Sequence, residues 1–193
     1  MPGNAGSGLH SEILRKIPSA PSIASRKSSG VMDWSNPSRG TAHWERTLWK
    51  KLEVGDLVLL RDNEQIPADI VVLSTSNADS LAFVETKNLD GETNLKVRRA
   101  LKATSSMNSE EDLEHASFVV DSEAPHANLY TYNGVLRYFP ANDGTEREER
   151  QEAITINELL LRGCTLRNTK WVIGLVVFTG ADTKIMLNGG DTP

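Results

Sequence analysis

The tetrapeptide Asp-Gly-Glu-Thr at residues 90–93 is the pattern best suited to chemistry in this sequence. It places one acidic residue on each side of a glycine. It follows an apolar run at residues 81–85 that is typical of a strand, so we expect it on a tight loop beyond that strand. Gly91 admits backbone conformations that other residues avoid, and it leaves no side chain to block a second surface. The loop can therefore present Glu92 to a reaction centre outside this chain.

The same tetrapeptide has an ordinary structural interpretation. Asp-Gly pairs are common in turns, and a threonine before a helical segment is a common N-cap. Thr93 is expected to cap a short helix that runs through Ala100. On these four residues alone, a purely structural turn is the more frequent explanation.

The other polar residues are less specific for chemistry. Asp56, Glu64 and Asp69 each adjoin a predicted strand edge or turn, where a carboxylate usually accepts hydrogen bonds from the backbone. The histidines are not spaced as metal ligands, so no metal site is predicted. Cys164 is the single cysteine, which excludes an internal disulfide and predicts a buried structural thiol in a reducing compartment.

The composition favours one folded core. Of 193 residues, 38% are hydrophobic, which is enough for one core and marginal for two. The longest apolar runs, such as residues 172–178, are well short of the ~20 residues that a membrane-spanning helix needs. We therefore expect a module that is not itself embedded in a membrane.

The first 40 residues differ from the remainder in composition and charge. They are rich in Ser, Pro and Gly and carry a net charge of +3, whereas the remainder carries −8. Such a head buries too little apolar surface to offset its ordering entropy, so residues 1–43 are predicted to form a flexible linker. Leu9, Ile13 and Ile17 form a weak helical repeat within it, which predicts transient structure only. The acidic remainder argues against a nucleic-acid partner.

From residue 44 onward the pattern predicts a mainly β fold. Ser109 is expected to cap a short helix through His115, and residues 146–152 mix both charge signs, as in an exposed loop or a helix start. Many short strands with few helices favour a β-sandwich or jelly roll. The first two predicted strands are expected to pair with each other. The predicted strands are residues 57–60, 70–73, 81–85, 118–121, 130–139 with a turn at Asn133-Gly134, and 171–179.

The tetrapeptide lies within a longer run, ETKNLDGETNLK, at residues 85–96. This run resembles the signature loop of the actuator domain of lipid-flipping P-type ATPases, the flippases, in which DGET takes the place of the TGES of cation pumps. Four further blocks resemble other motifs of that domain, and together they span roughly residues 44–188. The resemblance is to the fungal type. The blocks are WKKLEVGDLV from residue 49, IPAD from residue 66, LRGCTLRNT from residue 161 and TGADTKIM from residue 179.

The resemblance implies a fold and a role for each loop residue. Residues 44–188 would form a distorted jelly roll, and residues 189–193 a C-terminal linker toward a membrane helix of the parent. In a flippase the actuator domain rotates toward an aspartyl phosphate, so Glu92 would orient or deprotonate the attacking water. Gly91 would permit close approach, Thr93 would hold the loop, and Asp90 would shape the turn.

The resemblance also implies that the rest of the machinery lies outside this chain. The family's phosphorylated aspartate lies in a DKTGT motif, which this sequence lacks together with any P-loop. We expect no cofactor in this chain, with ATP and Mg²⁺ bound by other domains of the parent, and no ATP hydrolysis by the chain alone. The implied location is the cytosolic face of a plasma, Golgi or endosomal membrane. The implied partners are the phosphorylation and nucleotide-binding domains of the same polypeptide, the parent's membrane helices, a small accessory membrane subunit, and a phospholipid substrate bound outside this domain.

Two alternatives to a flippase actuator remain at this point. One is an independent β-sandwich binding module, and the other is the actuator domain of a cation-pumping P-type ATPase. The sequence does not identify the transported lipid.

Overall fold

The computed structural model describes residues 9–16, 42–140 and 148–189. Within these residues strands predominate, and the mainly β fold class predicted from the sequence is confirmed. The strands are β1 His10–Lys16, β2 Ala42–Leu48, β3 Leu57–Arg61, β4 Asp69–Thr75, β5 Leu81–Glu85, β6 Lys96–Arg99, β7 Phe118–Ser122, β8 Gly134–Tyr138, β9 Arg150–Ile154, β10 Leu159–Leu160, β11 Thr165–Arg167 and β12 Trp171–Phe178. The helices are α1 Lys87–Asp90, α2 Glu110–Glu114 and α3 Lys184–Asn188.

The described strands form one large sheet and two small ones. The large sheet has the order β10-β4-β12-β3-β1-β2, and the small sheets have the orders β11-β5-β6 and β7-β8-β9. Every pairing is antiparallel. Buried apolar side chains from all three sheets join in a single hydrophobic cluster, to which Val84, Leu136 and Val176 belong. One core therefore serves the whole described fold.

The apolar strand β12 takes the interior of the large sheet, between β3 and β4. Its Val172 and Val176 are fully buried, as expected for a strand that is covered on both faces. The predicted direct pairing of β3 with β4 is therefore wrong. The connection between them cannot close as a hairpin, because the N–H groups of Asn63 and Ile66 donate to the carbonyls of Leu166 and Cys164 instead.

Residues 10–16, which the sequence assigned to the linker, form a strand of the large sheet. β1 pairs with both β2 and β3, and Ser11 and Ile13 are 4% and 1% exposed. The merely transient structure predicted for this segment is therefore wrong, because the alternating buried positions Ser11 and Ile13 seat a short strand between β2 and β3. Ile17 and the rest of the predicted linker, through residue 41, lie outside the described residues.

Three local predictions also differ from the structure. The helix expected after Thr93 is strand β6, which pairs with β5 and thereby satisfies its backbone hydrogen bonds. Of residues 146–152, the last three belong to strand β9 and not to a helix start, while residues 146–147 lie outside the described residues. The strand expected over residues 130–139 is confined to β8.

The remaining element predictions are confirmed. The strands expected at 57–60, 70–73, 81–85, 118–121 and 171–179 correspond to β3, β4, β5, β7 and β12. The Ser109 hydroxyl accepts a hydrogen bond of 3.1 Å from the N–H of Asp112 and so caps α2. These elements have strong local signals, namely uninterrupted apolar runs and an N-cap with acidic residues in the first turn.

We predict that Gly174→Ala destabilises the fold by about 1–3 kcal/mol through overpacking at the centre of β12. A Cβ atom here would overlap the Cγ2 atom of Ile70 and would lie 2.9 Å from the Val71 carbonyl oxygen. Urea unfolding of the chain measures the loss. The exposed strand substitution Gln151→Ala serves as the control and should stay within about 0.5 kcal/mol of the wild type. An unchanged unfolding midpoint for Gly174→Ala would contradict the close packing of β12 on β4.

Candidate functional site

The candidate catalytic loop comprises residues 91–95, between α1 and β6. Helix α1 begins directly after β5, and the buried Thr86 joins the two. The Thr86 hydroxyl donates a 2.9 Å hydrogen bond to Oδ1 of Asp90, and the same oxygen accepts the N–H of Glu92 at 3.0 Å. The Asp90 carboxylate therefore braces the start of the loop against the core.

Gly91 makes the turn out of α1. Its φ angle is 76°, in the left-handed region that favours glycine, and its N–H donates to the carbonyl of Lys87 at 2.9 Å. No atom lies within 4 Å of the position that a Cβ atom would occupy at this residue. The loop is therefore open to solvent on the side where a second surface would approach.

Glu92 follows with its side chain at the surface. The side chain is 48% exposed and forms an ion pair with Lys96, the first residue of β6. Thr93 is exposed and precedes a strand, so it does not have the helix-capping position expected for it. The structure thus presents one carboxylate outward and holds it beside one ammonium group.

A cavity of about 240 Å³ lies beneath this ion pair. Glu92 and Lys96 line it together with Asp90, Arg98 and Tyr130. Arg98 is half-buried, and burial lowers the pKa of its guanidinium. The remaining lining residues are Val84, Thr86, Leu89, Leu129, Leu159, Leu161 and Cys164.

Cys164 is the one thiol among the residues that line this cavity. It is buried, as the sequence predicted, and burial raises the pKa of its thiol to about 12. The thiol therefore stays protonated near neutral pH and is a poor nucleophile. The polar groups of the cavity are therefore its carboxylates, its cations and the hydroxyls of Thr86 and Tyr130.

The sequence identified the acids of this site but not their neighbours. Lys96, Arg98 and Tyr130 had no role in the sequence interpretation, although Lys96 stands four residues after Glu92, a spacing that often pairs charges. Tyr130 has no such signal. It is 67% exposed, and only the tertiary structure brings it to the cavity beside Glu92.

Two of the other candidate carboxylates, Asp56 and Asp69, are structural, as expected. Asp56 accepts the N–H of Glu53 at 2.9 Å. Asp69 is fully buried and accepts the N–H of Arg162 at 2.9 Å and that of Lys184 at 2.8 Å.

No group of three or more His, Cys, Asp or Glu side chains in the described ranges is arranged to hold a metal ion. Across those same ranges, none of the helices has the length and apolar character needed to cross a membrane.

Comparison with known proteins identifies the family. A family model described as the P-type ATPase actuator domain matches residues 38–126. Phospholipid-transporting ATPase DNF1 of Saccharomyces cerevisiae is 53% identical over 165 residues, which cover 86% of this chain and 10% of that protein. Phospholipid-transporting ATPase dnf2 of Schizosaccharomyces pombe is 45% identical over 183 residues, 93% of this chain and 13% of that protein. This chain belongs to the P-type ATPase actuator domain family.

The similarity extends beyond fungi. Probable phospholipid-transporting ATPase 11 of Arabidopsis thaliana is 44% identical over 155 residues, 80% of this chain and 12% of that protein. The actuator domain therefore spans about a tenth of the length of these curated relatives. The resemblance inferred from the sequence is confirmed, and the alternative of an independent β-sandwich binding module is not supported.

We predict that Gly91→Ala lowers the free energy of unfolding by about 1 kcal/mol, because a Cβ atom disfavours the left-handed conformation of this residue. Gly91→Asn should cost less, since asparagine tolerates that conformation. Neither side chain meets an atom at its Cβ position, so backbone strain is the only expected cause. Urea unfolding of the two variants measures the difference. Equal losses for Ala and Asn would contradict this explanation.

A second prediction concerns Asp69 and pH. Burial raises the pKa of its carboxyl from the ordinary 3.8 to about 6, against the N–H groups of Arg162 and Lys184, which favour the ionised form. A carboxyl with a raised folded-state pKa binds its proton more tightly in the folded chain. Its contribution to stability is therefore complete below pH 3.8 and is lost as the pH rises through about 6.

Relative to Asp69→Asn, the free energy of unfolding of the wild type should therefore fall by about 3 kcal/mol between about pH 3 and pH 7. Urea unfolding of both proteins across this range provides the measurement. Groups that titrate equally in both proteins cancel in the difference. A difference that stays constant with pH would contradict the raised pKa.

Proposed function

We propose that this actuator domain serves the dephosphorylation step of a phospholipid-transporting ATPase, with Glu92 acting on the attacking water. The proposal rests on one observation. Glu92 presents a partly exposed carboxylate on an open loop, and its backbone N–H is held by the Asp90 carboxylate. The names of the curated relatives, which are phospholipid-transporting ATPases, supply the substrate class.

The geometry of the loop suits a group that works on another domain. The backbone before Glu92 is held by Asp90 and by the left-handed turn at Gly91, so the loop position is set before any partner arrives. The Glu92 side chain itself remains half-exposed and can reach outward. A positioned carboxylate that accepts a proton from water, as the water adds to phosphorus, contributes roughly 10²- to 10⁴-fold to a rate.

Lys96 has a defined part in this proposal. Its ammonium group holds the Glu92 carboxylate at the rim of the cavity in the free domain. Both side chains are partly exposed, so this ion pair is weak and a partner surface can displace it. In this proposal the negative phosphoryl group of the partner domain attracts the Lys96 ammonium, which frees the Glu92 carboxylate to meet the water.

The remaining components of the reaction belong to the parent protein in this proposal. ATP and Mg²⁺ bind to its other domains, and the phosphorylation and nucleotide-binding domains of the same polypeptide are the partners of the loop. The phospholipid and a small accessory membrane subunit contact the parent outside this domain. The parent lies in a plasma, Golgi or endosomal membrane with this domain on the cytosolic face.

We predict that Glu92→Gln in the intact parent leaves phosphorylation from ATP unchanged and slows phosphoenzyme decay by roughly 10²- to 10⁴-fold. The amide cannot accept the proton of the attacking water. Pulse-chase labelling with radioactive ATP, in mixed micelles of phosphatidylserine and phosphatidylcholine, measures formation and decay separately. Glu110→Gln, an exposed acid on α2, is the matched control and should decay at the wild-type rate.

The same substitution should leave the stability of the domain unchanged within about 0.5 kcal/mol, because an exposed side chain loses no core contact. A Glu92→Gln phosphoenzyme that decays at the wild-type rate would remove Glu92 from the mechanism. A variant that is never labelled would place the residue at an earlier step.

A further inference from the structure

Lys184 is a buried lysine in the short C-terminal helix α3 that the proposed reaction does not use. The residue is 1% exposed, and burial lowers the pKa of its ammonium group. A buried ammonium group is costly unless it finds hydrogen-bond acceptors. Its acceptors are therefore informative about what the residue holds in place.

The acceptors of Lys184 are carbonyl groups of a single loop. Its Nζ donates to the carbonyl oxygen of Asn128 at 2.7 Å and to that of His126 at 3.4 Å. Asn188, one turn later on the same face of α3, donates from Nδ2 to the carbonyl oxygen of Ala127 at 3.2 Å. Two side chains of one helix thus hold three consecutive carbonyls.

His126 adds a second set of contacts to the same loop. Its Nδ1 accepts the N–H of Asn128 at 3.2 Å and lies 3.4 Å from Nζ of Lys184, while Nε2 lies 2.6 Å from a carboxylate oxygen of Glu123. With a proton on Nε2 the ring donates to Glu123, and its Nδ1 accepts from Asn128. The ring therefore links Glu123 to Asn128 beside the Lys184 ammonium group.

Helix α3 is itself attached to the large sheet. The backbone N–H of Lys184 donates to Oδ2 of Asp69, the first residue of β4, at 2.8 Å. The other oxygen of that buried carboxylate holds the N–H of Arg162. Any position that Lys184 imposes on the loop is therefore set relative to the core of the domain.

The held loop continues directly into the wall of the cavity beside Glu92. Leu129 and Tyr130 follow the three bound carbonyls in the chain, and both line that cavity. The N–H of Tyr130 also donates to Oδ1 of Asn128 at 2.9 Å. Residues of the candidate catalytic loop and the end of the loop of residues 126–130 thus form parts of the wall of one cavity.

We propose that Lys184, assisted by Asn188, is a positioning residue for the dephosphorylation step, because it fixes the cavity wall at Leu129 and Tyr130 against which Glu92 works. This inference rests on the proposed role of Glu92. Rates of reactions at positioned groups fall steeply with small displacements of the surrounding groups. A wall held by buried hydrogen bonds keeps the cavity in one shape while the catalytic loop engages its partner.

Lys184→Met tests this role. Methionine keeps most of the apolar volume of the side chain and removes the Nζ donors, while the backbone N–H that binds Asp69 is retained. In the intact parent we expect phosphoenzyme formation to stay within about twofold of the wild type. Decay in mixed phosphatidylserine and phosphatidylcholine micelles should slow by roughly tenfold. Met186→Ala, on the same helix but 49% exposed, is the matched control and should decay at the wild-type rate. Asn188→Ala removes one exposed donor without disturbing the core and should slow decay by about threefold.

Two further measurements separate positioning from general stability. Amide hydrogen exchange of residues 127–130 in the isolated chain should accelerate in Lys184→Met and in Asn188→Ala, while exchange in β12 stays unchanged. Tyr130→Ala removes the wall itself, so adding Lys184→Met to it should slow decay no further.

Each outcome decides the inference. Faster exchange with wild-type decay in both α3 variants would overturn the positioning role, and so would additive effects of Tyr130→Ala and Lys184→Met. Unchanged exchange in Asn188→Ala would show that α3 does not hold the loop, even if Lys184→Met fails to fold. Wild-type decay of Glu92→Gln would instead overturn the proposed function, which the exchange experiment does not address.

Discussion

The buried carboxylate of Asp69 is the contact on which most of the site depends. Its two oxygens accept the backbone N–H groups of Arg162 and Lys184, and so join β4 to two segments that are distant in sequence. The first segment continues to Gly163, whose carbonyl accepts Asn88 of α1 at 3.4 Å. The second is α3, which holds the loop of residues 126–130. Both parts of the cavity wall are thus set relative to one fully buried group.

Neighbouring residues of the loop region have different tasks: Thr86 and Asp90 hold the backbone, and Glu92 is exposed. The braces of the candidate catalytic loop are partly or fully covered, because Thr86 is buried and Asp90, to which its hydroxyl donates, is half-buried. The group proposed to react, Glu92, projects from that support into solvent. A domain that must meet a reaction centre on another domain needs both properties, since a mobile loop would lose orientation and a buried acid could not reach.

Strong local patterns made much of the fold predictable. Apolar runs located β3, β4, β5 and β12, because a strand that is buried in a sheet needs little beyond that pattern. Polar strands were missed. The run Lys96–Arg99 is a strand only because its backbone pairs with β5, and in β1 the residues 10–15 include just two buried side chains, Ser11 and Ile13. Pairing partners across long sequence separations leave little trace in local composition.

The sequence by itself determined the family, the position of the acidic loop and the glycine that turns it, since these depend on residue types at fixed short spacings. Only the tertiary structure decided what surrounds Glu92. It placed Tyr130 and Arg98 beside the loop and inserted β12 between two strands that are neighbours in the sequence. Burial of apolar strands and satisfaction of buried donors and acceptors act over the whole chain, so they select these contacts without a local signature.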